Sequence, residues 1–222
     1  EYAHATGAAF RDPAEAVSAP HAHAHGFSVA VDDSEPLRGR VGATVFVTRV
    51  VRNVDGSRPT PPWMIARLTL AGLRSISLIV DITNYVMLEL GQPLHGYDLD
   101  RLSGGIVVRR ARAGGTLVTL DGQTRKLDTE DLLIADGSGA IGLAGVMGGA
   151  ATEISAGTTS VLVEAANFDP VSIARTARRH KLPSEASKRF ERGVDPRVAV
   201  AAAARVVQLL EQLAGGSADG LG

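Results

Sequence analysis

Residues 161–196 read VLVEAANFDPVSIARTARRHKLPSEASKRFERGVDP, a stretch in which a strand passes into helices. The apolar residues from Ser160 to Val163 predict a short strand that ends at the carboxylate of Glu164. Asp169 and Pro170 then predict a helix start, because aspartate caps free backbone amides and proline lacks the amide that would stay unpaired. The stretch therefore predicts a carboxylate at a strand end, close to the N-terminus of a helix.

Two further helices are predicted in the same stretch. Pro183 ends the first helix, and Ser184 caps the second, with Glu185 in its first turn. Gly193 fits the position just after that helix, and Asp195-Pro196 opens a third. Helix N-termini are rich in unpaired backbone donors, so this region is suited to binding a polar, anionic group.

The first of these helices carries four basic residues, Arg175, Arg178, Arg179 and His180. The chain as a whole has a formal net charge of −1, which argues against a domain that contacts nucleic-acid phosphates over its whole surface. A local basic face on this helix and an ordinary solvated helix face both fit the sequence.

Composition sets broad limits on the chain. Its 222 residues, 45% of them hydrophobic, are enough for one large domain or two small ones. Cysteine is absent, which excludes disulfides, a thiolate zinc site and a thiol nucleophile. No apolar run reaches the roughly 18 residues that a membrane span needs, and no signal-peptide pattern is present. We therefore expect no membrane segment and a cytoplasmic location.

Residues 1–36 contain several glycines and prolines with little periodicity, and predict a partly disordered leader or linker. The segment HAHAH at 21–25 would place three histidines on one face if it formed a strand, an arrangement that can bind a metal. A flexible solvated loop is favoured, because no carboxylate or further histidine lies nearby in a ligand-like pattern.

A strand and a helix are predicted between residues 43 and 72. Residues 43–52, ATVFVTRVVR, are rich in β-branched residues and predict a strand. The run Thr60-Pro61-Pro62-Trp63 predicts a helix that begins with a proline as its first helical residue and ends near Gly72. Its core contacts are expected to be Trp63, Ile65, Leu68 and Leu70 or Leu73.

Residues 80–90, VDITNYVMLEL, predict a helix capped by Asp81 or Thr83, with Asn84 in its first turn. The loop that follows holds His95 between a proline and a glycine. There the backbone is constrained and can be approached closely. Spacing alone does not separate this histidine from an ordinary surface residue.

The remaining chain predicts strands and then one long helix. Residues 106–134 read as short strands with glycine turns, and Asp121-Gly122 is a hairpin signal. The glycine-rich run AIGLAGVMGG at 140–149 is typical of a strand and turn where a ligand or another strand approaches the backbone. Helical spacing runs from Pro196 to Ala214.

These segments resemble the β subunit of bacterial phenylalanyl-tRNA synthetase. The matching pieces are VLVEAANFDPVSIARTARRH, SEAS and RFERGVDP, preceded in the same order by VDITNYVMLELGQPLHGYDLDRL and GLAGVMGG. The resemblance covers about residues 37–214 and implies the central editing region of that subunit, called B3/B4. The full subunit is several times longer, so the chain resembles an excised piece.

For residues 37–214 we expect one α+β unit, the B3/B4-like editing domain, with a mostly antiparallel sheet core and helices packed outside. The predicted elements segregate rather than alternate in βαβ order, which favours this class. Residues 215–222 are expected to form a frayed tail.

The resemblance implies that Glu164 and His95 are the catalytic residues of the editing site. Tyrosine differs from phenylalanine by one hydroxyl, which the synthetic site of such a ligase cannot reject strongly. An editing site that selects tyrosine needs a buried hydrogen-bond acceptor that phenylalanine would leave unpaired, and Glu164 has that chemistry. A strand-end glutamate more commonly caps a turn or pairs with an arginine, and this alternative stays open. His95 would lie near the terminal ribose of the tRNA and the ester bond that joins the amino acid to it.

The resemblance also implies the substrate-binding residues: Thr83, Asn84, Ala144, Gly145, Gly148, Ser184 and Ala186. The first two would line the pocket from a helix start, the next three would let backbone approach the amino acid, and the last two would close the site. The simplest attacking species is a water held by backbone groups, with a ribose hydroxyl of the tRNA assisting.

The function implied is hydrolysis of tyrosine mischarged onto tRNA(Phe), within a ligase that attaches phenylalanine to tRNA(Phe). The implied partners are tRNA(Phe) and the α subunit, in an α2β2 assembly. The resemblance implies no cofactor or metal in this part, with ATP and Mg²⁺ acting in the whole enzyme. A non-catalytic nucleic-acid-binding module and a purely structural domain remain alternatives.

Overall fold

The computed structural model describes residues 2–18, 26–33 and 36–219, so the HAHAH segment lies outside the described residues. The helices of the described part are α1 Tyr2–Thr6, α2 Pro62–Leu70, α3 Leu78–Leu90, α4 Pro170–Arg179, α5 Glu185–Arg192 and α6 Ala199–Ala214. The strands are β1 Val29–Asp32, β2 Ala43–Arg52, β3 Leu94–Asp98, β4 Ile106–Arg110, β5 Thr116–Val118, β6 Thr124–Lys126, β7 Leu132–Asp136, β8 Gly139–Leu143, β9 Met147–Gly148, β10 Ser160–Phe168 and β11 Ser217–Ala218.

The strand that carries Glu164 belongs to a four-stranded sheet. This sheet has the strand order β11-β2-β10-β3 and antiparallel pairing throughout. Its strand β10 lies between β2 and β3 and is buried along almost its whole length. A strand covered on both faces reads as a continuous apolar run rather than an alternation. This accounts for the sequence VLVEAANF, in which Glu164 is the one charged residue.

The two faces of β10 belong to different hydrophobic clusters. Val161 and Val163 pack in the cluster formed with α2, α3 and α6, which includes Leu68. Leu162 and Phe168 pack in the cluster formed with a second sheet and with α4 and α5. The two layers therefore share a strand, and the residues of β10 that face the second sheet are enclosed between the layers.

The second sheet has the order β1-β4-β7-β8-β9, and β5 and β6 form a separate hairpin. The turn of that hairpin contains Asp121 and Gly122, as predicted, and Gly122 has the positive φ of 76° that this turn requires. β1 pairs with β4 in parallel, whereas the other pairings of the described strands are antiparallel. The α+β class with a mostly antiparallel sheet core is confirmed.

Local capping chemistry follows the sequence closely. The Asp169 side chain accepts a hydrogen bond from the Ser172 amide at the start of α4. Ser184 and Ser187 form a reciprocal capping box at the start of α5. Pro62 occupies the first turn of α2. These starts were predictable because each depends on residues within one turn of the helix.

Three predicted positions near the site are wrong. The strand expected to end at Val163 continues to Phe168, so Glu164 lies in mid-strand. The helix expected near residue 80 begins at Leu78, so neither Asp81 nor Thr83 is its cap. His95, expected in a loop, lies in β3. In each case tertiary pairing or packing extended an element beyond its local signals.

The two ends of the described chain also differ from the prediction. Residues 29–32, assigned to the leader, form β1, and Asp33 makes an ion pair of 3.0 Å with Arg110 of β4. Ser217 and Ala218, assigned to a frayed tail, pair with β2. The last helix begins at Ala199 rather than Pro196.

Trp63 is not a core residue of α2. It is 42% exposed, and Ile65 is 38% exposed, whereas Met64 and Leu68 are fully buried. The Trp63 ring meets Tyr85 edge-on, with centroids 5.2 Å apart, and the guanidinium of Arg67 lies over it. Leu70 is 89% exposed, whereas Leu73, beyond the helix, packs against the cluster that contains Leu68. The prediction is therefore right for Leu68 and Leu73 and wrong for Trp63, Ile65 and Leu70.

Candidate functional site

Strand register brings the two predicted catalytic residues together. In the antiparallel pairing of β10 with β3, Glu164 lies directly opposite His95. Residues opposite one another on adjacent strands place their side chains on the same face of the sheet. Two residues after His95, Tyr97 lies on that same face. The site is thus built on rigid strands rather than on a loop.

Glu164 is a buried carboxylate, with only 6% of the residue exposed. Its Oε2 accepts a hydrogen bond from the hydroxyl of Tyr97. Burial raises the pKa of Glu164 from 4.5 to about 7, and the hydrogen bond from Tyr97 acts in the opposite direction. Its partner is therefore a phenol, in place of the arginine or turn amide that the sequence left open.

His95 is half-buried, opposite Glu164 of β10 and against Gly148 of β9. Burial lowers the pKa of His95 from 6.5 to about 4, so the imidazole is neutral at physiological pH. Its ring meets Tyr97 edge-on, with centroids 4.5 Å apart. A Cβ at Gly148 would lie 2.5 Å from Cε1 and 2.7 Å from Nε2 of this imidazole. Glycine at position 148 therefore leaves room for the histidine ring.

A cavity of about 70 Å³ opens beside Glu164 and His95. The predicted residues that line it are Ala144, Gly145, Gly148 and Ala186. Sequence reasoning missed further lining residues, among them Tyr97, Met147 and Phe190.

Gly145 has a local role in shaping this cavity. It has a φ of 64°, and a Cβ there would lie 2.9 Å from the Phe190 ring and 3.0 Å from the Phe168 ring. Glycine at this position lets the turn after β8 pass close to both rings, and Gly145 and Phe190 themselves line the cavity.

A second, larger cavity of about 470 Å³ adjoins the first. Thr83 and Asn84 line it, together with Arg74 and Glu153. His95 and Leu94 belong to the lining of both cavities. The predicted site is therefore divided, with Glu164 on one side of His95 and the two α3 residues on the other.

Ser184 is separate from both sets of lining residues among the described part of the chain. Its hydroxyl accepts from the Ser187 amide and caps α5. The same helix carries Ala186 into the wall of the smaller cavity. Ser184 thus caps the helix that places Ala186 beside the smaller cavity.

The arginine-rich helix α4 is mostly neutralised within the fold. Arg179 pairs with Asp131 at 2.5 Å and with Glu130 at 2.8 Å, while Arg175 pairs with Glu130 at 2.6 Å. His180 contacts Asp131 at 2.7 Å. These basic residues fasten α4 to the loop before β7. Arg178, the remaining basic residue of the helix, is largely exposed and lies 3.7 Å from Glu191. The continuous basic face that was one alternative is therefore reduced to this arginine.

The opposite pKa shifts of Glu164 and His95 predict the pH dependence of stability. The pKa of Glu164 is raised from 4.5 to about 7. Its contribution to the free energy of unfolding is therefore fully present below pH 4.5 and is lost as pH rises through 7. The contribution of His95, whose pKa is lowered from 6.5 to about 4, is full above pH 6.5 and is lost as pH falls through 4. Between these limits the two effects oppose each other.

Glu164→Gln removes one of the two effects. We expect its free energy of unfolding, relative to the wild type, to rise by about 3 kcal/mol as pH increases from 4.5 to 7. Urea denaturation at both pH values measures this difference. Glu153→Gln, at an exposed carboxylate, is the control for loss of a surface charge. A difference that stays constant with pH for Glu164→Gln would contradict the raised pKa.

Two kinds of feature are absent from the described residues. None of the helices there is long and apolar enough to cross a membrane. Within the same residues, no group of three or more histidine, cysteine, aspartate or glutamate side chains is arranged to hold a metal ion.

Comparison with known proteins identifies the family. The family model described as the B3/4 domain matches residues 42–215. The chain is 86% identical over 222 residues to the phenylalanine–tRNA ligase beta subunit of Leifsonia xyli subsp. xyli, covering 100% of the chain and 26% of that protein. It is 60% identical over 223 residues to the beta subunit of Streptomyces avermitilis, covering 99% and 26%.

The chain thus spans about a quarter of the length of the curated relatives it matches. A solved N-terminal fragment of the phenylalanyl-tRNA synthetase beta subunit from Pyrococcus horikoshii is a distant neighbour, with a TM-score of 0.47 and 12% identity over 74% of this chain and 52% of that one. The match over residues 42–215 and the high identity to beta subunits agree, and the chain belongs to the B3/4 domain family of phenylalanine–tRNA ligase beta subunits.

Proposed function

We propose that this domain is an editing hydrolase that releases tyrosine from mischarged tRNA(Phe). The observation that carries the proposal is a buried carboxylate, Glu164, at the wall of a small cavity beside the neutral imidazole of His95. A site of this kind separates two amino acids that differ by one hydroxyl, because the acceptor is satisfied by one of them and left unpaired by the other.

The two adjoining cavities suggest how the substrate is divided. The aromatic side chain of the amino acid occupies the smaller cavity, with its hydroxyl donating to Glu164. The terminal nucleoside of the tRNA occupies the larger cavity, lined by Thr83 and Asn84. The ester then lies at His95, which lines both. A water held by backbone groups attacks the ester, with a ribose hydroxyl assisting.

Entry of the substrate ring requires movement of the cavity wall. The smaller cavity measures about 70 Å³, roughly half of the ~150 Å³ of an apolar cavity that accepts benzene. Met147 lines this cavity and is only half-buried. Its unbranched side chain has more freedom to move than a branched one. We assign the widening of the cavity to displacement of this methionine.

The whole protein would act as a ligase that attaches phenylalanine to tRNA(Phe). The identity of the relatives, which are phenylalanine–tRNA ligase beta subunits, supports this proposal. In that protein we propose an α-subunit partner, ATP and Mg²⁺ at a synthetic site outside this chain, and a cytoplasmic location. Residues 37–214 are proposed as the editing domain.

Deacylation of tyrosyl-tRNA(Phe) and phenylalanyl-tRNA(Phe) tests the proposal. In the complete heteromeric enzyme we expect the tyrosyl ester to be cleaved faster. Binding of tRNA without cleavage of either ester would instead favour a non-catalytic binding module, and neither binding nor cleavage would favour a structural domain.

The isolated chain should behave differently from the complete enzyme. We expect it to cleave tyrosyl-tRNA weakly at best, because its net charge of −1 gives little attraction for the tRNA backbone. We also expect no ATP-dependent formation of aminoacyl-tRNA by the isolated chain. Incorporation of labelled phenylalanine into tRNA, with the complete enzyme as positive control, measures this. ATP-dependent charging by the chain alone would contradict the assignment.

A further inference from the structure

Tyr97 contacts both Glu164 and His95. It is only 1% exposed. Its hydroxyl donates to Oε2 of Glu164, and its ring meets the imidazole of His95 edge-on at an angle of 80° between the planes. The Tyr97 side chain therefore links Glu164, the proposed acceptor for the substrate hydroxyl, to His95, the residue proposed to lie at the ester.

Strand pairing fixes this arrangement. Tyr97 lies opposite Leu162 in the β3–β10 ladder, and Glu164 lies opposite His95. Tyr97 and Glu164 are thus diagonal neighbours on one face, within reach of each other when one side chain is aromatic. Both strands are held by the ladder, so the phenol meets the carboxylate at a fixed position.

A carboxylate has two oxygens, each able to accept hydrogen bonds. Since the Tyr97 phenol engages Oε2, the carboxylate cannot rotate freely, and the second oxygen has a defined direction. Glu164 and Tyr97 both line the smaller cavity. A second phenol entering this cavity would meet a carboxylate that is already oriented by the first.

We propose that Tyr97 is a positioning and specificity-determining residue of the editing site, whose hydroxyl holds one oxygen of Glu164 so that the other reads the hydroxyl of the substrate. This inference rests on the proposed function. Tyr97 does not act on the ester itself; it acts through Glu164.

The titration of the two groups is consistent with this role. Burial, followed by the negative charge of Glu164, raises the pKa of Tyr97 well above its ordinary value, so its hydroxyl keeps its proton and remains a donor. The same hydrogen bond works against the burial that raises the pKa of Glu164. Loss of the Tyr97 hydroxyl therefore leaves a smaller fraction of Glu164 ionised near neutral pH.

The test is Tyr97→Phe in the complete heteromeric enzyme, which removes the hydroxyl and keeps the ring against His95. We expect hydrolysis of the tyrosyl ester to fall by about tenfold, with little change for the phenylalanyl ester. We also expect the acid limb of the pH–rate profile for the tyrosyl ester to move to higher pH. A role limited to packing would change neither the ratio nor the profile.

Tyr85→Phe is the matched control. Tyr85 is also a buried tyrosine, 7% exposed, but its hydroxyl bonds to Arg67 and Glu89 outside the cavity linings. Its loss should leave both ester rates and the pH profile unchanged. If Tyr97→Phe matches this control in ratio and profile, the inference is overturned while the proposed function stands.

If the wild-type enzyme cleaves no tyrosyl ester, the proposed function itself fails, and the Tyr97 inference with it. A second variant covers the case in which Tyr97→Phe does not fold. Substitution of Tyr97 by 3-fluorotyrosine keeps the ring and hydroxyl and makes the hydroxyl a stronger donor. We expect the acid limb for the tyrosyl ester to move to lower pH, and an unmoved acid limb would overturn the inference.

Discussion

Glu164→Ala in the complete heteromeric enzyme is expected to remove most of its preference for tyrosyl over phenylalanyl ester, a loss of about 1–3 kcal/mol or roughly ten- to a hundredfold. The reason is that the variant has no acceptor for the substrate hydroxyl at the wall of the cavity. The hydroxyl of the misacylated tyrosine would then be desolvated without a partner. The measurement is the ratio of the two deacylation rates under the same conditions.

The structural alternative for Glu164 makes a different prediction. If the carboxylate served stability alone, Glu164→Ala would lower the thermal midpoint while the remaining activity still preferred tyrosine. We expect folding to survive, because burial already disfavours the ionised form of Glu164 and raises its pKa to about 7. Removal of the buried carboxyl group avoids the cost of its desolvation. The alanine variant also leaves the Tyr97 hydroxyl without its acceptor, and this loss offsets part of that gain in stability.

Glu164→Gln is the matched variant for this experiment. Glutamine keeps the volume and one oxygen acceptor, so Tyr97 retains a partner, but the charge is lost. Hydrogen bonds to charged groups are stronger than those to neutral ones. We therefore expect a preference for tyrosine between those of the wild type and Glu164→Ala. An alanine variant that keeps the wild-type ratio of rates would end the assignment of Glu164 as the reader of the hydroxyl.

The sequence predicted best what depends on neighbouring residues. The helix starts at Asp169 and Ser184 were predicted because capping needs only the next few amides. The strand around Glu164 was predicted too short, because a charged residue inside a buried strand contradicts local preference. The burial of that charge is accommodated by Tyr97, whose contact depends on the pairing of β10 with β3.

Long-range pairing also explains what else was missed. β1 has four residues and pairs in parallel with β4, with Val29 opposite Ile106, so nothing local distinguishes it from a linker. Thr83 and Asn84 were predicted to share one pocket with Glu164, but α3 starts earlier than its apparent cap and directs them to the larger cavity. The alternation of His95 and Tyr97 was a usable signal, had β3 been recognised as a strand.

Removal of the imidazole by His95→Ala is expected to lower hydrolysis of the tyrosyl ester by about a hundredfold while leaving the fold intact. His95 lies where the two cavities meet, so it is the side chain best placed to orient the ester between amino acid and nucleoside. Its low pKa, about 4, means that the lost group is a neutral imidazole, able to donate or accept a hydrogen bond without carrying charge. Deacylation rates and thermal midpoints of wild type and variant are compared.

Gly148→Ala tests the same assignment without removing the histidine. The added Cβ would lie 2.5 Å from Cε1 of the imidazole, so the ring must move out of the position it occupies. If orientation of the ester depends on that position, Gly148→Ala should also slow hydrolysis, with the imidazole still present. Gly157→Ala is the control, because a Cβ there has only the Ser155 hydroxyl within ordinary contact distance, at 3.8 Å.

An unchanged rate for His95→Ala, or collapse of its stability, would show that His95 is not the group at the ester. A normal rate for Gly148→Ala alongside a slow His95→Ala would instead mean that the imidazole is needed but that its exact position against β9 is not.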